Sequence, residues 1–166
     1  MIASGLEVQQ ITALQPDSRV TSGRDTLAAM MSRWRGASQP VRVAAAAAVI
    51  VLTYGTAVHL VHLASSGFDP YPQVPGWLRT YFVSLTFLDP LAAVLLARRT
   101  RAGVVLAVAV LVSDAAANGW ANYALDAESG VTVGRVGQAV VTMLALAACA
   151  TAPRLWRAAA PLQHPR

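Results

Sequence analysis

Apolar positions along the chain gather into four blocks, roughly residues 43–64, 78–96, 102–124 and 133–152. Each is close to the ~20 residues that a helix needs to cross the hydrocarbon of a bilayer. The pattern predicts an all-α integral membrane protein, and the short links predict antiparallel neighbours in an up-down-up-down four-helix bundle. The material ahead of the blocks is different. Residues 1–21 are polar and aperiodic, which predicts a poorly ordered arm. Leu27, Met30, Met31 and Trp34 then recur at i, i+3, i+4 and i+7 among Arg24, Arg33 and Arg35. That is the pattern of a short amphipathic helix, about 24–35, lying on a membrane face. Ser38-Gln39-Pro40 breaks it before the first block. The chain therefore divides into an arm at 1–40, a four-helix domain at 41–153 and a tail at 154–166.

Polar residues inside the blocks are few and ordered. The third block contains LVSDAAANGWANYA, in which Asp114, Asn118 and Asn122 stand four apart. His59 and His62 are i, i+3 neighbours and Gln138 and Thr142 are i, i+4 neighbours. Such spacings give each span one polar stripe. With a rise of ~1.5 Å per residue, Tyr54 and Asp89 lie ~16 Å below the outer ends of their spans, at the midplane, and Asp114 reaches the same level. His59 and Asn118 lie ~9 Å below the outer ends, with His62 shallower and Gln138 between them. Lipid offers no hydrogen-bond partners and a carboxylate at the midplane costs ~3 kcal/mol or more, so the stripes are expected to turn inward.

Composition supports the membrane reading: 55% of residues are hydrophobic and 13% charged, against about a quarter charged in soluble domains. Mean hydropathy is +0.49. The net charge of +5 is explained by placement rather than by nucleic acid. Arg33, Arg35 and Arg42 precede the first span, Arg98, Arg99 and Arg101 fill the second link, and Arg154, Arg157 and Arg166 follow the fourth. The other links carry Asp69, Asp126 and Glu128, with Arg79 and Arg135 at their edges. By the positive-inside rule both termini are cytoplasmic, in the cytoplasmic (plasma) membrane, with membrane lipids as partners and no nucleic acid. All 13 basic residues are arginine, as a GC-rich coding bias would produce. The first block begins too late and runs too long for a cleaved signal peptide. Met30 and Met31 are alternative translation starts, a choice that mass spectrometry of the native N-terminus decides.

Cys149 stands alone, which excludes a disulfide framework and a thiolate metal site, and reads as a small core residue. The outer link SSGFDPYPQVPGW, with three prolines, is stiff and not helical, and Tyr71 and Trp77 fall at headgroup level, with Trp156 at the opposite interface. Pro90 should kink the second span by freeing the carbonyl of Thr86. Gly55, Gly103, Gly119, Gly134 and Gly137 permit close helix contact.

Two aspartates at one depth in a dry interior do not both stay ionised, so a shared proton or a histidinium partner is expected. Asp114, Asp89 and His59 are the candidate catalytic residues, and Tyr54, His62, Asn118, Asn122 and Gln138 the candidate ligand-binding ones. Such a trio can hold a cationic ligand, pass protons, or act as acid and base on a lipophilic substrate. The amides equally serve inert bundles as interhelical hydrogen-bond glue of ~1 kcal/mol each. An HxxH pair with two carboxylates does not define a metal geometry, so neither metal nor cofactor is expected.

The four-span layout, with a link ending in PGW and running on as LRTYFVSLTFLDP, resembles the EXPERA domain of the emopamil-binding-protein group, over about residues 50–155 in layout and over PGWLRTYF in residues. The resemblance implies a cavity within four helices, lined by carboxylates and aromatics, a sterol-like or terpenoid-like ligand, and isomerase-type chemistry or simple binding. The acidic residue of that family's second span would fall nearer Leu85, one turn before Asp89, so its role does not transfer by position.

No Walker loop, dinucleotide fingerprint, serine elbow or zincin motif is present. The leading expectation is an intramembrane pocket in the outer half of the bilayer for a small lipophilic or amphiphilic ligand. A structural subunit, using its small-residue faces toward a homo-oligomer or membrane-protein partner, is the alternative. A proton-coupled transporter is disfavoured, because below the aspartates the spans read LAAVLL, AGVVLAVAVLV and LALAACA, an apolar plug.

Overall fold

The computed structural model describes residues 23–67, 70–125 and 130–159. The polar arm up to residue 22, Asp69, Asp126, Glu128 and the tail from residue 160 lie outside the described residues. In chain order the helices are α1 (Gly23–Arg33), α2 (Gln39–Ser66), α3 (Gly76–Ala97), α4 (Arg101–Trp120) and α5 (Val133–Ala158), with no strand among the described residues. A π-helical turn, Ala121–Leu125, extends α4. α2 to α5 are each long and apolar enough to cross a membrane. Only 17 to 33% of their most apolar stretches is buried within the molecule. Ile50, Leu60, Phe87, Val105 and Met143 face outward instead. Water would penalise that much bare apolar surface and lipid does not, as expected for a multi-pass membrane protein.

Local chemistry sets the helix ends. Thr100 caps α4 by accepting from the Gly103 N–H at 3.0 Å, and Thr132 caps α5 by accepting from the Arg135 N–H at 3.2 Å. Pro40 occupies the first turn of α2, where its missing N–H costs nothing, and Gly67 ends that helix at a φ of 59°. α5 continues past the expected end near residue 152, through Pro153 to Ala158. One lost hydrogen bond does not stop it, because Leu155 in the next turn is buried. α3 likewise runs through Pro90.

Sequence neighbours pack on one another, α2 on α3, α3 on α4 and α4 on α5, while α2 and α5 meet less extensively and close the four-helix bundle loosely. The core centres on α3, where Leu78, Leu85 and Leu96 join Leu52 of α2 and Val104 of α4. At the α3–α4 link, Gly103 lies so close to the backbone of Leu95 and Leu96 that a side chain would not fit.

α1 departs from expectation. Met30 and Trp34 are buried in the core, although Leu27 is exposed, so the helix is docked on the bundle and does not lie free with its apolar face in lipid. Arg99 holds it there. Adopting a φ of 62°, Arg99 donates from Nε to the Ala158 carbonyl at 2.6 Å and from Nη1 to the Arg33 carbonyl at 3.1 Å. Its guanidinium also stands over the Trp34 ring, 5.6 Å from the centroid.

Candidate functional site

Two helices and one link converge on His59. Nδ1 of its imidazole lies 2.9 Å from the Tyr71 hydroxyl, and Nε2 lies 3.8 Å from Asp89 Oδ2, within ion-pair range of a protonated ring. Burial pushes the Tyr71 phenol up, so it stays protonated and can donate to Nδ1. With the hydroxyl donating, a neutral imidazole would carry its proton on Nε2, facing Asp89. Phe82 stacks on His59 at 6.4 Å between centroids, and the ring of His62 tilts over Tyr71 at 5.1 Å. Asp89 is buried, with its carboxylate against the α2 backbone: a Cβ on Gly55 would stand 2.5 Å from Oδ2.

The polar stripe of α4 is a ladder of donations back along the helix. Asn118 Nδ2 donates to Asp114 Oδ1 at 2.8 Å and to the Asp114 carbonyl at 3.0 Å, and Asn122 Nδ2 donates to the Asn118 carbonyl at 2.9 Å. The spacing of four that marks these residues in the sequence is the reach of those bonds. From α5, Gln138 Nε2 crosses to the Ala115 carbonyl of α4 at 2.8 Å and also donates to Thr142 Oγ1 at 3.0 Å. Gln138 Oε1 is buried without a hydrogen-bond partner. Glycines seat these amides. A Cβ on Gly119 would lie 3.3 Å from Gln138 Nε2, and one on Gly134 would collide with Asn122 Oδ1.

Cavities follow the loose α2–α5 seam. An inner chamber of about 370 Å³ is lined by Gly55, His59, Asp89, Asp114 and Asn118, with Tyr54 at its edge. An outer chamber of about 510 Å³ is lined by His59, His62, Tyr71, Asn118, Asn122 and Gln138. Both are bounded by Val58, His59, Asn118, Gly137 and Val141, so they adjoin. Gly137 forms the waist, where an added Cβ would meet nothing within 4 Å.

The residues singled out from sequence are thus brought together unequally. His59, Asp89 and Gln138 are buried, while Asp114, Asn118 and Asn122 are half-buried along the chambers. Tyr54 is 70% exposed, and His62 and Thr142 are also largely exposed, so not every stripe turns wholly inward. Tyr54 precedes His59 by five residues, a rotation of about 140° around the helix, which carries it away from the buried side. Cys149 is exposed on α5 and is not a core residue. Tyr71, expected among headgroups, is instead buried over His59, in a left-handed backbone conformation with φ 58°. Its only sequence signal is its place between Pro70 and Pro72, which constrains the link without revealing that it folds inward. The apolar segments below the aspartates are not packed solid either, for they enclose a further cavity of about 500 Å³. Among the described residues no three His, Cys, Asp or Glu side chains cluster as a metal site. Comparison with protein-family models, curated proteins and solved structures gives no match to this chain.

Proposed function

We propose that the protein binds a small lipophilic or amphiphilic molecule in the paired chambers between α2 and α5, within the outer half of the cytoplasmic membrane. The observation that carries this reading is the convergence of His59, Asp89 and Asp114, from three different helices, on one chamber of about 370 Å³. Volumes of this order suit small-molecule ligands, and mostly apolar walls with a few polar groups are their usual lining. Gln138 Oε1 offers an unmet acceptor beside the outer chamber, suited to a hydroxyl or amine on the ligand. In this reading Asp89 and Asp114 anchor the polar group of the ligand, and the Tyr71–His59–Asp89 chain sets its protonation. The same chain equips the site for acid and base chemistry of the kind implied by the EXPERA-like stretch PGWLRTYF.

The membrane orientation belongs to the same proposal: an up-down-up-down bundle with both termini cytoplasmic. Contacts between residues late in one helix and early in the next support it, including Gly103 against Leu95 and Leu96, and Gly134 against Asn122. The arginine-rich α3–α4 link then faces the cytoplasm.

Native mass spectrometry of the detergent-extracted protein tests the reading. The wild type should carry a small lipophilic adduct, and Asp89→Asn, Asp114→Asn and the waist-filling Gly137→Leu should each lose it while remaining folded. An adduct retained by all three variants, or none on the wild type, overturns the proposal. A structural subunit would tolerate both asparagines in vivo.

A further inference from the structure

We infer that the seam between α2 and α5 is also a binding groove for an anionic lipid, drawn from the leaflet at the arginine-rich end of the bundle. The inference rests on the membrane-spanning reading but not on the use of the polar chambers. The cavity of about 500 Å³ at that end is lined by α2, α4 and α5, and its width comes from small residues, among them Ala44, Ala48, Ala107 and Ala148. It shares Val51, Leu111 and Leu144 with the inner chamber, so it is the same seam continued past the aspartates. Its walls are almost wholly apolar, which suits a hydrocarbon chain and does not suit water or ions.

The mouth of the groove is different. A smaller cavity of about 260 Å³ adjoins it through Pro40, Ala44, Thr151 and Leu155, and adds Arg154. Arg154 is exposed, and its side chain has no hydrogen bond or ion pair among the described residues. Arg42, at the same end of α2, lies on the far side of that helix from the residues lining the groove and lines neither cavity, so Arg154 is the arginine at the mouth. Among the described residues the one acid outside the polar chambers is Asp25, on α1. An excess of arginine at the headgroup level, opening into an apolar groove, selects a phosphate-bearing lipid by charge and holds one of its chains by fit. From Arg154 to Leu144 the helix rises ~15 Å, so a lipid chain entering at the arginine reaches the floor of the inner chamber.

The test uses the full chain in phosphatidylcholine vesicles containing traces of phosphatidylglycerol with a photoactivatable acyl chain. Adducts should map to residues 43–51 and 144–155, and a phosphatidylcholine probe of the same chain should label them less. Arg154→Gln should lower phosphatidylglycerol labelling of the groove about fivefold, the effect of one basic residue at a membrane surface, and leave phosphatidylcholine labelling unchanged. Ala147→Phe, which fills the groove, should reduce labelling by both probes. Asp89→Asn should change neither, which separates failure of the polar-chamber reading from failure of this one. Equal labelling by the two headgroups, or labels spread evenly over all outward faces, would overturn the inference.

Discussion

Replacing Gly55 by alanine puts the geometry of the site to a direct test. The added Cβ would stand 2.5 Å from Asp89 Oδ2 and 3.4 Å from its Cγ. Ordinary contact begins near 3.5 Å, so the carboxylate must withdraw by about 1 Å. Overpacking of this kind costs about 1–3 kcal/mol, and the better helix propensity of alanine returns about 1 kcal/mol. Net destabilisation should be about 0–2 kcal/mol, small enough for the bundle to persist. The site should suffer more than the fold. A carboxylate displaced by about 1 Å from His59 and from the chamber should weaken ligand retention about ten- to hundredfold. Gly137→Ala is the matched control, because its Cβ meets nothing within 4 Å, and it should stabilise the helix by up to about 1 kcal/mol. Thermal unfolding in detergent measures the first quantity, and native mass spectrometry of the co-purified adduct the second. If Gly55→Ala retains the adduct as the wild type does, or if the two alanines destabilise equally, the placement of Asp89 against Gly55 does not govern the site.

Other outcomes follow from the same geometry. Tyr71→Phe removes the hydroxyl that meets His59 Nδ1 at 2.9 Å and should cost about 1 kcal/mol; nitrogen NMR should find His59 protonated on Nε2 in the wild type, and that tautomer preference should weaken in the variant. Arg99→Ala deletes two carbonyl contacts and the Trp34 stack, for a loss of about 1.5–3 kcal/mol, and should expose the α1–α2 connection to limited proteolysis. Arg99→Gly should fare better than Arg99→Ala by about 1 kcal/mol, because glycine adopts the left-handed φ of 62° without penalty. Reporter fusions after Arg99 and Arg157 should read as cytoplasmic and those at Gln73 and Gly130 as external; the reverse result at any one would contradict the proposed orientation.

Residue order along the chain was enough to place the four long helices, because a bilayer demands about 20 apolar residues per span whatever the neighbours are. It also marked Asp114, Asn118 and Asn122 as one unit, since bonds between residues four apart are internal to a helix. His59 and Asp89 were recognisable as costly intramembrane groups from their chemistry alone. Their partnership was not. That Asp89 lies against Gly55, that Tyr71 folds from its link onto His59, and that Tyr54 faces outward all depend on the rotation of each helix about its axis, which the docking of neighbouring side chains sets. The docking of α1 has the same origin. An apolar stripe reads identically whether it meets lipid or protein, and only the burial of Met30 and Trp34 beneath Arg99 decides between them. The seam between α2 and α5 is likewise a property of the assembled bundle, because a cavity arises where two faces fail to fill the space between them, and neither face shows that failure alone.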